Sequence, residues 1–193
     1  MSKFQKSITN DALAQLPIGF FEQEIVVVEN LEDAVTACED LSRYSVIGFD
    51  TETKPSFKAG VSHKIALLQL SSESKCYLFR LSQMALEKPI LKLLGNKEII
   101  KVGAAVRDDI KGLKALRQFT HASFIDLQSI VSDYGIEDLS LRKLAAITMG
   151  IRISKAQRLS NWEANTLTLM QQRYAATDAW VSLMIYKKLT DDK

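Results

Sequence analysis

Asp50 and Glu52 form an Asp-x-Glu pair at the end of the apolar run Val46, Ile47, Gly48, Phe49. A strand alternates its side chains, so residues two apart leave the same face. Two like charges side by side on a buried element cost free energy unless a cation lies between them. Hard cations such as Mg²⁺ take oxygen ligands, with one or two carboxylates completed by water and substrate phosphate. An isolated Asp-x-Glu also ends many solvated strands by chance, so its weight depends on where other acids fall.

A second signal lies near the C-terminal end. Leu167, Met170, Tyr174, Val181, Ile185 and Leu189 recur at helical steps, and Asp178 fills the slot of this stripe between Tyr174 and Val181. Tyr174 and Asp178 therefore lie one turn apart on one face, separated by Ala175, Ala176 and Thr177, which are small enough for a close approach to a sheet. A third signal is the run KVGAAVRDDIKGL, where Gly103, Ala104 and Ala105 turn into a helix with Asp108 and Asp109 in its first turn. Acids there also stabilise the helix dipole with no further role. The spacing favours Asp109 as the one turned toward the pair, with Asp108 capping or solvated, and leaves the choice between them open.

The elements that must position these groups follow from periodicity. The 193 residues, 47% hydrophobic, suit one well-buried domain, and the net charge of +2 gives no global polyanion signal. Short strands are expected at Ile25–Val28, Val46–Asp50, Ile65–Leu70, Lys75–Phe79, Ile99–Val102 and Phe124–Asp126. Helices are expected before Pro17, over Leu31–Tyr44, Met84–Leu94, to about Phe119, over Leu141–Met149 with Ser140 as N-cap and Gly150 as stop, and over Leu167–Leu189. Strands first, a βαβ middle and a helical end imply an α/β layer fold with a mixed sheet. Cys38 and Cys76 have no metal or disulfide spacing and read as small apolar residues in a reducing compartment. No stretch from Met1 to Asp11 resembles a signal peptide, and no window approaches a membrane span.

The three acidic segments resemble the DEDD superfamily of 3′-5′ exonucleases, in its tyrosine subclass. FDTE matches the first motif, Asp109 the second and YAATD the third. The resemblance is closest to the Werner syndrome helicase type of exonuclease domain, through VIGFDTE, IALLQL, SESKCYLF, KVGAAVRDD, SLRKL, SNW and YAATDA in order. Ribonuclease D and the proofreading domain of bacterial DNA polymerase I are more distantly similar. Those relatives commonly place His-Asn and an aromatic residue ahead of the second acid, where this chain has Ala104, Ala105 and Asp108.

The resemblance implies a ribonuclease H-like α/β fold: a mixed, mostly parallel five-stranded sheet with one antiparallel strand, flanked by helices. It implies an N-terminal helical extension over 1–22, the exonuclease domain over 23–190 and a frayed tail over 191–193. It also implies two divalent cations, Mg²⁺ or Mn²⁺, held by Asp50, Glu52, Asp178 and Asp109, with Tyr174 orienting the attacking water. The product would be a nucleoside 5′-monophosphate released from a 3′ end of DNA. The partner would be nucleic acid, any helicase or polymerase would be a separate chain, and the compartment would be that of the nucleic acid, the cytoplasm in a prokaryote. A ribonuclease D-like exoribonuclease and a catalytically inactive nucleic-acid-binding module are the alternatives; retention of all four acids and the tyrosine speaks against the latter.

Basic residues cluster in two acid-free stretches. Lys54, Lys58 and Lys64 lie in the first, and Arg142, Lys143, Arg152, Lys155 and Arg158 in the second. With Arg107 they are the candidate phosphate contacts. Each also reads as an ordinary solvated charge. Phe57 and Trp162 are assigned no base-stacking role, and His63 and His121 no catalytic one.

Overall fold

The structure is a computed structural model describing residues 3–58 and 60–191. Its strands are β1 (Glu24–Val28), β2 (Val46–Thr53), β3 (Ile65–Ser71), β4 (Lys75–Phe79), β5 (Ile100–Gly103) and β6 (Phe124–Asp126). Its helices are α1 (Asn10–Ala14), α2 (Leu31–Leu41), α3 (Lys88–Leu94), α4 (Val106–Leu116), α5 (Leu127–Ile130), α6 (Leu141–Met149) and α7 (Leu169–Thr190).

All six strands join one sheet, in the order β1-β4-β3-β2-β5-β6, so the expected count of five is corrected to six. The sixth is the three-residue edge strand β6, whose Phe124–Asp126 pairs in parallel with Lys101–Gly103 of β5. β3 runs against both neighbours, β2 and β4, and the remaining pairings are parallel. Three residues separate β3 from β4, which forces a hairpin, whereas every parallel neighbour is reached through a longer crossover.

Alternation along β2 sorts the two layers. Ile47 and Phe49 face a core shared with Ala34, Ala37 and Leu41 of α2, Ile90 and Leu94 of α3, and Leu113 of α4. Gly48, Asp50 and Glu52 face the opposite way, toward α7. There Leu67, Cys76 and Leu78 pack with Ala175 and Ala176, while Val181 and Ile185 pack with Leu144 of α6. Gly48 is where helix and sheet come nearest: a Cβ built on it would fall 2.7 Å from the carbonyl carbon of Ala179 and closer still to its oxygen. Only glycine admits this approach.

The 22-residue α7 begins at a reciprocal cap: the Thr168 hydroxyl accepts from the Gln171 backbone N–H, and Gln171 Oε1 accepts from the Thr168 N–H. Met170, expected in its buried stripe, is 59% exposed because it lies in the first turn, before the helix reaches the sheet. The leading segment is strapped to the loops on either side of α6 and to α7. The Ile8 N–H donates to Asp138, Arg152 Nε donates to the Leu16 carbonyl, and Phe21 N–H donates to the Thr177 hydroxyl. At the other end Asp191 caps α7, while residues 192 and 193 of the expected tail lie outside the described residues. No helix among the described residues is long and apolar enough to cross a membrane.

Candidate metal centre and active site

β2 continues three residues past Asp50, so one extended strand carries both acids of the pair. α7, drawn against Gly48, brings Asp178 over them. Carboxylate oxygens of Asp50, Glu52 and Asp178 lie within 4.8 Å of one another. Asp178 is 8% exposed, and Asp50 and Glu52 are half-buried.

Such crowding resists ionisation. Burial, then the charges of Asp178 and Asp109, hold the Asp50 carboxyl well above the usual carboxylate range. Burial, then Asp50, pushes Glu52 up to about 10. Burial raises Asp178 to about 7, against a donated hydrogen bond from the Tyr174 hydroxyl. Tyr174 is itself held above the usual phenol range by burial and by Asp178. The cluster therefore fits a divalent cation, which would offset the repulsion, and an all-carboxylate donor set suits Mg²⁺ or Mn²⁺ better than a soft metal.

Asp109 approaches from the other face of β2. Thr51 points away from Asp50 and Glu52, and its hydroxyl donates to Asp109 Oδ1 at the start of α4. Burial raises the Asp109 carboxyl, partly countered by that bond, and its charge is felt by both Asp50 and Glu52. Asp108, by contrast, is exposed. Ala105 precedes α4 at φ +60°, a left-handed conformation unusual for a residue with a Cβ, and its N–H donates to Asp126 Oδ1 at 2.9 Å. That turn sets where Asp109 enters.

The nine candidate basic residues separate into distinct settings. Lys54 pairs with Glu163 at 3.1 Å, and Lys143 with Asp138 at 2.7 Å. Arg152 is tied to Leu16, and Arg142 is half-buried. Thus Lys143 and Arg152 serve the strap of the N-terminal segment. Lys58, Lys64, Arg107, Lys155 and Arg158 are exposed, and the charge of Arg158 reaches the site by favouring ionised Glu52. The loop carrying Lys155 and Arg158 is anchored farther along by Trp162, fully buried with its ring tilted against that of Tyr174, centroids 6.0 Å apart. Gln83 Nε2 also donates to the Asn165 carbonyl. Phe57 is 84% exposed.

Two concavities flank these groups. An apolar cavity of about 270 Å³ adjoins Tyr174 and Asp178 and is walled by Ile18, Phe20 and Met170. A larger groove of about 970 Å³ runs along the opposite flank of α4, lined by Arg107, Lys111 and Lys114. Lys111 and Lys114 lie outside the acid-free stretches that mark the candidate phosphate contacts. Their spacing from Arg107, four and seven residues, is a helical stripe that was available as a signal.

A family model for 3′-5′ exonucleases matches residues 25–192. The chain is 39% identical over 197 residues to the mouse bifunctional 3′-5′ exonuclease/ATP-dependent helicase WRN, an alignment covering 96% of this chain and 14% of that protein. The Nibbler exonuclease domain of Aedes aegypti superposes with a TM-score of 0.80 at 25% identity, covering 91% of this chain and 94% of the other. Ribonuclease D of Escherichia coli shares the fold, with a TM-score of 0.79 at 21% identity over 88% of this chain and 45% of that one. With its acids gathered beneath α7 and this match across nearly all of its length, the chain belongs to the 3′-5′ exonuclease family of hydrolases.

Proposed function

We propose that the chain shortens DNA from the 3′ end by two-cation hydrolysis, releasing nucleoside 5′-monophosphates. The observation that carries this reading is the convergence of Asp50, Glu52 and Asp178 within 4.8 Å, with Asp109 held at the other face of β2 through Thr51 and its charge felt by Asp50 and Glu52. Asp50, Glu52 and Asp178 would hold one cation, and Asp50 with Asp109 a second. Bound there, the cations supply charge neutralisation at phosphorus and lower the pKa of the attacking water.

The chain's own groups do the rest. Tyr174 stays protonated, since burial and its acidic neighbours oppose phenolate formation. Its hydroxyl therefore acts as a donor that orients Asp178 and the water beside it. Trp162 packs its buried ring against the tyrosine ring and holds it in place. The apolar cavity of Ile18, Phe20 and Met170 offers a wall for the terminal base, and the exposed Lys155 and Arg158 suit the phosphates behind it. DNA as substrate rests on likeness to the Werner-type relative.

The test is digestion of 5′-labelled single-stranded DNA, recessed-end duplex and single-stranded RNA in Mg²⁺ or Mn²⁺, with Asp50→Asn as control. A cation-dependent ladder shortening from the 3′ end, absent in the control, is expected. Preference for RNA would replace DNA as the substrate, and a folded, cation-loaded protein that cuts nothing would refute the catalytic reading.

A further inference from the structure

β3 is apolar at Ile65, Ala66, Leu67, Leu68 and Leu70, and polar only at Gln69 and at its last residue, Ser71. Gln69 is 0% exposed, and among the described residues neither its Nε2 nor its Oε1 has a hydrogen-bond partner. A buried amide without partners is costly, and such a group calls for a reason. Leucine would match its neighbours and carry no such cost.

The sheet register supplies the reason. Gln69 pairs directly with Asp50 across β2 and β3, and with Leu78 on the other side. Directly opposed residues share a face with their Cβ atoms about 4.5–5.5 Å apart. The glutamine amide lies three bonds beyond its Cβ and the aspartate oxygens two beyond theirs, so the two groups are within reach. Apart from the acids Asp50, Glu52 and Asp178, the face beneath α7 around Gln69 is apolar, with Leu67, Leu78 and Cys76 in the sheet and Ala175 and Ala176 above. Ser71, two residues along, already donates to the Ser72 carbonyl, and Ser182 of α7 donates to the Asp178 carbonyl.

We propose that Gln69 is a positioning residue, whose carboxamide N–H donates to the Asp50 carboxylate when the acid cluster holds a divalent cation. Each carboxylate oxygen carries two lone pairs, so Asp50 could ligate through both oxygens and still accept a donor, which would fix its rotamer and keep the ligating lone pairs aimed. The amide waits unpaired in a dry setting, so it is in place before the cation arrives. This assignment rests on the cation-dependent reading of the same cluster and adds a residue outside its ligand set.

The test is Gln69→Met, close in length and lacking both polar atoms, with Gln69→Leu as a second variant of different shape. Mn²⁺ affinity is measured by calorimetric titration, and urea unfolding is measured in chelator. Expected is a 10- to 100-fold loss of Mn²⁺ affinity, with a urea midpoint in chelator equal to or above that of wild type. A merely structural amide would give the reverse: lower stability in chelator and unchanged Mn²⁺ affinity, and that result overturns the proposal. Wild-type values on both axes overturn it as well. A wild-type protein that takes up no Mn²⁺ refutes the cation-dependent reading and this assignment with it, and is told apart by the wild-type titration alone.

Discussion

Gly48→Ala probes the contact that creates the site. The added Cβ would meet the Ala179 carbonyl carbon at 2.7 Å, where ordinary contact begins at 3.4 Å, so α7 must retreat by 0.7 Å for that atom. Clearing the oxygen to the same distance brings the shift to about 1.4 Å. The obstacle is helix backbone, which no rotamer change removes. Overpacking of this kind costs about 3 kcal/mol, and restriction of the unfolded chain by alanine returns up to about 1, leaving a net loss of about 2 kcal/mol. A domain stable by about 5–15 kcal/mol stays folded at 25 °C after that loss. Asp178 follows Thr177 directly ahead of Ala179, so the same shift draws it away from Asp50 and Glu52. Misplacement by about 1 Å costs on the order of 10²-fold in rate. Urea unfolding and single-turnover cleavage of labelled DNA measure the two effects separately. Gly150→Ala is the control: φ is +68° and nothing lies within 4 Å of its built Cβ, so it carries backbone strain of about 1–2 kcal/mol with wild-type cleavage. Wild-type turnover in Gly48→Ala, or a loss no larger than its unfolded fraction, would refute the reasoning.

Other perturbations test other parts. A raised folded-state pKa gives stability that is full below the unfolded value and lost as pH rises through the folded one; for Asp178 that window runs from 3.8 to about 7. At 1.36 kcal/mol per pH unit the rise corresponds to on the order of 4 kcal/mol. Asp178→Asn should therefore be more stable than wild type in chelator at pH 8 and no more stable at pH 4, with a lower urea midpoint at pH 8 as the contrary result. Tyr174→Phe removes the donor to Asp178 while keeping the ring beside Trp162, and should slow turnover about 10- to 100-fold with Mn²⁺ affinity retained. An unchanged single-turnover rate would remove the hydroxyl from the mechanism. Lys111→Glu with Lys114→Glu reverses two charges in the α4 groove, and should weaken DNA binding and flatten its salt dependence by about two phosphate contacts. Identical slopes for variant and wild type would exclude the groove from the substrate path.

Where local signals decide an element, sequence and structure agree closely. α6 runs from Leu141 to Met149 because Ser140 caps its start and Gly150 turns left-handed at its end. α3 starts at Lys88 rather than Met84 because Pro89 fits only the first turn, and Met84 and Leu86 are buried without helical backbone. The 127–134 segment carries no such signal, since its one-turn helix and the 3-10 turn after it are too short for a periodic stripe. The three acids gathered at one point were legible because strand and helix periods fix which face each occupies. The fates of the basic residues were not: Arg152 bonds Leu16, 136 positions away, and no local pattern encodes that pairing.

The two cysteines bear on how the protein can be studied. Cys38 and Cys76 are both free and buried, and burial pushes the Cys38 thiol up to about 12 and the Cys76 thiol higher still. Thiolate is the reactive form, so the folded chain resists alkylating dyes that the unfolded chain accepts. A single cysteine introduced at the exposed Phe57 would then take a fluorophore alone, without removal of either native thiol. Slow labelling of Cys38 and Cys76 would, in the same sample, time the opening of the sheet on each side.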